Sequence, residues 1–427
     1  MSARRPVTVA LVEASFGLSG STLSLCTLVK RLDLARFAPR IVVSRVEQET
    51  YARSRLDGAI PISRITPRRG LKGTRWARRG GLRARVAAVL DLFLVTLPYA
   101  LALRRFIRRQ GIELVHHNNG FDVATVVLCR VLGIPLIAYQ RGSEWNSWLV
   151  RRLAPHATHY IANSEATRQD LLALGISGHQ ISVVFPPVDL ADFRPESGAP
   201  GVSATAAPDP ERAAFGVGPE TLSFGIVGQL QEWKGQRVFL RAAQHVIGAR
   251  PDARAWVIGS APAGGEAYAQ ELRTLARELG IADRVVFTGF VTDVPGFIRL
   301  LDVVVHASTY PEPFGRVIVE AMLVGRPVVA SDAGGPREII APERTGLLVP
   351  PGDERAMARA ILRLLGDGAL RARLADAARI EAVQRFSAEQ HARQVEEIYD
   401  ATLGHGILAV AAGCSGLPAP SSRGGRP

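Results

Sequence analysis

The chain has 427 residues, enough for two or three domains, and its 47% apolar and 21% charged side chains exclude a fibrous or wholly disordered polypeptide. Its net charge of +13 gathers between residues 64 and 109, where thirteen Lys and Arg side chains meet Asp91 alone, leaving the remainder near neutral. Three cysteines, Cys26, Cys129 and Cys414, lack metal-clip or redox spacing, which argues against a disulfide scaffold and fits a reducing cytosol.

Taken in chain order, the first apolar run, Val7–Val12, is too short for a secretion signal and reads as a β-strand. The small-residue loop Phe16-Gly17-Leu18-Ser19-Gly20-Ser21 follows it and opens a helix. Such a loop at a helix N-terminus suits a phosphate, although an ordinary strand-to-helix turn has the same pattern. Further strands are expected at Arg40–Val43, Glu113–His116, Leu136–Tyr139, His159–Ala162 and Ile181–Val184. Helical patterns fall between them at Thr22–Leu32, Asp122–Leu132 and Glu165–Leu174. Repeated strand–helix alternation with apolar strands predicts a parallel sheet covered on both faces.

Within the basic region, Val86–Leu103 is largely apolar but carries Asp91 and Pro98. A membrane span needs about 20 residues and rarely holds a central Asp, so a transmembrane helix is not expected. Two readings stand together: a helix buried on one side, and an Arg-rich flank, including Arg68–Arg85, held against anionic lipid. Nucleic acid is not expected as a partner, because no aromatic stacking pattern accompanies the arginines.

Residues 195–210 are rich in Gly, Ala, Pro and Ser without periodicity, as in a linker. The alternation then restarts, with strands at Leu222–Val227, Ala255–Ile258, Val285–Thr288, Val303–His306, Val328–Ala330 and Leu347–Val349. Helices are expected at Arg237–Ile247, Ala267–Leu279 and Val317–Val324, and a last one, Ala388–Tyr399, is placed to cross back to the first half. The resulting division is an N-terminal α/β domain (1–194), a linker (195–213), a C-terminal α/β domain (214–386), a crossover helix (387–403) and a tail (404–427) whose composition reads as disordered. With two such halves, the natural ligand site is the crevice between them.

The strongest motif is Glu312-Pro-Phe-Gly-Arg-Val-Ile-Val-Glu320, placed after an apolar strand and opening a helix. The amides of Gly315, Arg316 and Val317 would be unpaired donors there, suited to a phosphate. If fully helical, the eight-residue spacing separates the two glutamates by about 12 Å along the axis. Glycosidase carboxylate pairs sit about 5–9.5 Å apart, so a hydrolytic acid/base pair is not expected. The spacing instead suits gripping the two ends of one elongated ligand.

This segment resembles the glutamate–seven–glutamate signature of the retaining glycosyltransferases of family 4, which have the two-domain GT-B fold, two Rossmann-like α/β domains facing across a cleft. The resemblance covers nearly the whole chain to about residue 400. It implies a nucleotide-sugar site in which Glu320 binds the ribose, Glu312 faces the sugar, Phe314 and Gly315 line the sugar, and the amides of Val317 and Ile318 reach the diphosphate. Gly228-Gln229-Leu230-Gln231-Glu232-Trp233-Lys234-Gly235 resembles the family's Gly-Arg-Leu…Lys-Gly stretch, which makes Lys234 the cation that neutralises the departing diphosphate. Gln229 stands where an arginine is usual. Asp332-Ala333-Gly334-Gly335-Pro336-Arg337-Glu338 resembles the Gly-Gly-x-x-Glu loop beside the donor, and its glycines permit close backbone approach. Gly17 and Gly20 match the N-terminal glycine loop that meets the diphosphate from across the cleft. Arg141 takes the place of a family histidine after the strand Leu136–Tyr139, with permanent charge. His116 and His117, with Asn118 and Asn119, are candidates to face the acceptor, a structural role being at least as compatible with each.

The resemblance therefore implies a retaining hexosyltransferase; with no Asp-x-Asp at a strand end it is expected to be metal-independent, and the cysteines and the basic segment suggest the cytosol, peripheral on the inner face of the cell membrane. It takes a UDP- or GDP-linked sugar as co-substrate, needs no other cofactor, and transfers to a glycan or lipid-linked acceptor of envelope or polysaccharide biosynthesis. The alternatives are an epimerase or phosphorylase of the same fold, or a degenerate, membrane-associated binding protein, to which Gln229 and Arg141 would point.

Overall fold

The computed structural model describes residues 5–15, 20–67, 90–120, 122–142, 148–193, 210–218, 221–262 and 264–404. Gly17, the arginines from Arg68 to Arg85, most of the expected linker and the tail beyond residue 404, with Cys414, lie outside the described residues.

Two parallel sheets organise the chain. The first contains β1 (Val7–Glu13), β2 (Phe37–Val43), β3 (Ile62–Arg64), β4 (Leu114–His117), β5 (Leu136–Gln140), β6 (His159–Ala162) and β7 (Ile181–Val183), in the order β3-β2-β1-β4-β5-β6-β7. The second contains β8 (Ser223–Val227), β9 (Arg254–Ile258), β10 (Val285–Gly289), β11 (Val303–His306), β12 (Val328–Ser331) and β13 (Leu347–Val349), in the order β10-β9-β8-β11-β12-β13. The strands are apolar on both faces because helices cover both: Val303, Val304 and Val305 of β11 are all fully buried. In each sheet the winding reverses once, between β1 and β4 and between β8 and β11. Loops part at those two points and leave a crevice beyond the carboxyl ends of the strands.

Each half has its own core, but the first is completed from the far end of the chain. Ala392, Val395, Ile398 and Tyr399 of the helix Ala388–Thr402 pack among Val9, Leu11 and Phe37 of the first sheet. Arg36 pairs with Glu396 (2.9 Å) and with Asp400 at its edge. The two passages between the halves run side by side: Val188 bridges Ser387, and its amide donates to the Phe386 carbonyl (3.1 Å). A helix at Pro210–Ala214 occupies the end of the stretch expected to be linker; its Pro at the first helical position is compatible with a helix start.

The crossover helix brings two buried histidines into the junction. His116 Nδ1 lies 2.7 Å from the Tyr399 hydroxyl, and His391 Nδ1 donates to the Phe185 carbonyl at 2.8 Å. Burial is the main reason that both titrate below the ordinary histidine range, with the Arg141 charge adding to it; His391 is brought down to about 3. A folded-state value below the unfolded one means that stability is complete above about pH 6.5 and lost as pH falls. We expect a loss of about 2 kcal/mol per histidine by pH 5, read as a falling denaturation midpoint between pH 7.5 and 5. His391→Gln should flatten that slope, and a midpoint indifferent to pH over this interval would refute the assignment.

Candidate functional site

The carboxyl end of β11 is followed by Ala307, Ser308 and a loop that delivers Glu312 into the crevice. The residue is 7% exposed, yet its carboxylate is fully partnered. Lys234 Nζ, from the turn after β8, donates to Oε1 and Oε2 at 2.7 and 2.8 Å. Ser308 Oγ donates to Oε2 at 2.8 Å, and His306 Nε2 lies 3.3 Å from the same oxygen. Burial opposes the charge, but the Lys234 ammonium and the His306 hydrogen bond outweigh it, holding the carboxyl well below the usual range. Lys234 is held from its other side by the Trp233 ring, 4.1 Å from the ammonium. Gly235 follows with φ of +76°, and a Cβ there would collide with the Ala307 carbonyl. That contact seats the turn of Lys234 directly on the end of β11.

The helix Arg316–Val324 starts at Gly315, which adopts φ of +100° and supplies no side-chain cap. Its first amides, those of Arg316 and Val317, have no backbone partner among the described residues. The Ile318 amide, expected to reach a diphosphate, is instead spent on the Gly315 carbonyl at 2.9 Å. Glu320, one turn on, accepts Arg316 Nε at 2.7 Å.

Two further expectations change in the structure. The Phe314 ring is 4% exposed and sits in a cluster with Phe185 and Phe386, at centroid distances of 5.9 and 5.8 Å, so only its main chain borders the crevice. Gly334 and Gly335 do permit close backbone approach, but what approaches is the loop Glu312–Phe314. Gly334 (φ +67°) forms a bridge with Glu312, the Gly335 amide donates to the Glu312 carbonyl (2.8 Å), and a Cβ at either glycine would strike that backbone. These glycines set the height of Glu312.

The first domain supplies the opposite lip. The helix Gly20–Arg31 begins against Arg316: a Cβ on Gly20 would lie 3.5 Å from the Arg316 Cδ. Behind it, Glu13 at the end of β1 is 1% exposed and accepts the Ser15 amide, Ser21 Oγ (both 3.1 Å) and Asn118 Nδ2. Asn118 in turn holds Arg141, accepting Nε on its carbonyl at 2.8 Å and Nη2 on Oδ1 at 3.0 Å, while the guanidinium stacks 3.9 Å from the Tyr139 ring centroid. The neighbouring Gly142 comes within 3.9 Å of the Pro313 ring by its notional Cβ, so Arg141 stands beside the Glu312 loop. Gln229 is exposed at the end of β8; its carbonyl accepts Gln236 Nε2 at 2.9 Å. His116 and His117 do not face an acceptor. Both are buried, the first against Tyr399 and the second 3.2 Å from Asp122.

Glu13, Ser308, His306 and the side chain of Arg316, of which only the amide was expected at the site, escaped the sequence reading. The first three sit within a few residues of a strand's carboxyl end, where polar side chains interrupt an apolar run. Below the crevice, Glu338 reaches the other domain and accepts the amides of Glu165 and Ala166 at 2.7 and 2.9 Å. No group of three His, Cys, Asp or Glu able to hold a metal ion occurs among the described residues.

Comparison with known proteins agrees with this geometry. Residues 209–381 match the family model for glycosyl transferases group 1, and residues 19–192 match that for glycosyltransferase family 4. The lipopolysaccharide core biosynthesis mannosyltransferase LpsB of Rhizobium meliloti is 30% identical over 269 residues, 62% of this chain and 70% of that protein. The chain belongs to the group 1 glycosyltransferases. D-inositol 3-phosphate glycosyltransferase 2 of Catenulispora acidiphila is 36% identical, although the match spans only 49% of this chain and 48% of that protein. Among solved structures, Anabaena HepE in complex with UDP and glucose superposes with a TM-score of 0.76 at 25% identity, covering 92% of this chain and 99% of that one. This group 1 glycosyltransferase therefore has the GT-B fold expected from its sequence.

Proposed function

We propose that the protein is a retaining glycosyltransferase that moves a hexose from a UDP- or GDP-sugar to a hydroxyl of a glycan or lipid-linked acceptor, without a metal ion. The observation that carries this reading is the buried Lys234–Glu312 pair beside the open N-terminus of the helix Arg316–Val324. A cation and unpaired amides together favour a diphosphate. Glu320 is the group for the ribose and Glu312 the group for the sugar. The HepE complex with UDP and glucose supports a uridine donor, and the lipopolysaccharide relative supports an envelope acceptor.

In the reaction, the bond from the sugar's anomeric carbon to the diphosphate oxygen breaks with its electrons passing to phosphate. The acceptor oxygen bonds to the same face of that carbon, and its proton passes to the departing phosphate oxygen. What the protein must supply is stabilisation of developing negative charge, which falls to Lys234 and the Arg316 and Val317 amides. Arg141, fixed by Asn118 and Tyr139, adds a positive charge from the opposite lip. A thermal-shift screen of UDP, GDP, ADP and their sugar conjugates in EDTA tests this. Stabilisation by one nucleoside diphosphate family is expected; no shift from any at high concentration would refute the donor site.

The protein is also proposed to work at the surface of an anionic membrane. No helix among the described residues is long and apolar enough to cross one. Leu92, Phe93, Leu94 and Leu97, however, are 47–59% exposed beside the exposed Arg104, Arg105, Arg108 and Arg109. Apolar side chains next to arginines are the pair of features that holds a protein at a lipid interface. Co-sedimentation with anionic vesicles should fall when Arg68–Arg85 or Arg104–Arg109 lose their charge, and unchanged sedimentation would remove the membrane from this proposal.

A further inference from the structure

The guanidinium of Arg316 is shared between the two lips of the crevice. Nε donates to Glu320 Oε1 at 2.7 Å on its own helix, and Nη1 donates to Ser24 Oγ at 3.2 Å on the first-domain helix. Ser24 uses its hydroxyl hydrogen on the Gly20 carbonyl at 2.9 Å, so its oxygen is left as an acceptor for Arg316. Ser24 is 1% exposed, and the Arg316 and Glu320 side chains are 21% and 12% exposed. Water competes weakly for bonds so enclosed. The planar fork of a guanidinium sends separate N–H groups in separate directions, which the single nitrogen of a lysine does not.

We propose that Arg316 is a positioning residue that couples the nucleotide carboxylate Glu320 to closure of the first domain over the donor. One nitrogen fixes the Glu320 carboxylate for the ribose, and another holds the helix Gly20–Arg31 against the crevice. This rests on the nucleotide-sugar reading of Glu320. Coupling of this kind is reciprocal: nucleotide on Glu320 tightens the first-domain helix, and that helix in turn raises nucleotide affinity.

The test uses the full chain, titrated with UDP and with GDP by calorimetry, and hydrogen exchange of the Gly20–Arg31 helix with and without nucleotide. For whichever nucleotide the wild type binds, Ser24→Ala and Arg316→Lys should each weaken affinity about 5–10-fold and abolish the nucleotide-induced protection of that helix. The double variant should bind no more weakly than the weaker single, because both changes remove one bond. Arg316→Gln, which also loses the Glu320 contact, should weaken binding beyond either. Ligand-free melting temperatures near the wild-type value show that the variants are folded. Unchanged affinity and intact protection in Ser24→Ala, or additive effects in the double variant, would overturn the coupling alone. Failure of the wild type to bind either nucleotide would overturn the coupling and the donor reading together.

Discussion

Lys234→Ala is expected to lower kcat by about 10²–10³-fold and to destabilise the second domain by about 3–5 kcal/mol. Both effects follow from one geometry. In the folded protein the ammonium is the main compensation for a carboxylate that is almost wholly buried, with side-chain exposures of 24% for Lys234 and 10% for Glu312. Removing the cation leaves that carboxylate with Ser308 and His306 only, and an uncompensated buried charge is expensive. In the proposed reaction the same ammonium is the charge assigned to stabilise the departing diphosphate. The double variant Lys234→Ala, Glu312→Ala separates the two roles. It should recover most of the stability, because no charge is stranded, while remaining inactive. Thermal melting and steady-state rates on the three proteins decide the matter. A Lys234→Ala protein that melts as the wild type does and turns over within tenfold of it would show that the pair is incidental.

Glu312 and Glu320 are expected to separate binding from turnover. Glu320→Ala should raise the Kd for the nucleoside diphosphate about 10–100-fold, a loss of about 1.4–2.8 kcal/mol. Glu312→Ala should leave that Kd within about threefold while depressing kcat as Lys234→Ala does. The structural basis is that the two carboxylates have different partners. Glu312 is locked to Lys234 at the end of β11, whereas Glu320 is held one turn inside the helix by Arg316, leaving Oε2 for a ligand. Calorimetry with UDP and GDP, alongside initial rates, reads both quantities. Equal and small effects from the two substitutions would remove the assignment of opposite ends.

The sequence revealed the architecture because of how parallel strands are buried. Strands such as Val303–His306 and Val328–Ser331 are covered on both faces and open on valine runs without polar alternation, a pattern that marks a buried parallel strand. The edge strand Ile62–Arg64 escaped the same test, since Ile-Ser-Arg offers a single apolar side chain. Inside one motif the candidates Glu312 and Glu320 were legible, because loop and helix start fix them relative to each other, whereas the buried Phe314 ring and the spent Ile318 amide were not. Residues whose role depends on the other domain were not. Arg316 and Ser24 are 292 positions apart, and nothing local marks either as a partner. Gly334 shows the remaining ambiguity: a glycine signals that something comes close, without saying whether it is a ligand or, as here, the backbone of Glu312.

The packing of the crossover helix also sets an order of events at the ribosome. Ala392, Val395, Ile398 and Tyr399 fill the core that Val9, Leu11 and Phe37 begin, so the domain translated first cannot be finished until the last turns of the chain have emerged. The second domain, whose core is drawn from residues between Val188 and Phe386, reaches completion earlier. During synthesis the nascent first domain holds an uncovered apolar groove at Phe37 while some 350 further residues are added, a state that invites chaperone capture. Released chains truncated before Ala388 should accordingly show a protease-resistant second domain and a first domain that is still cleaved.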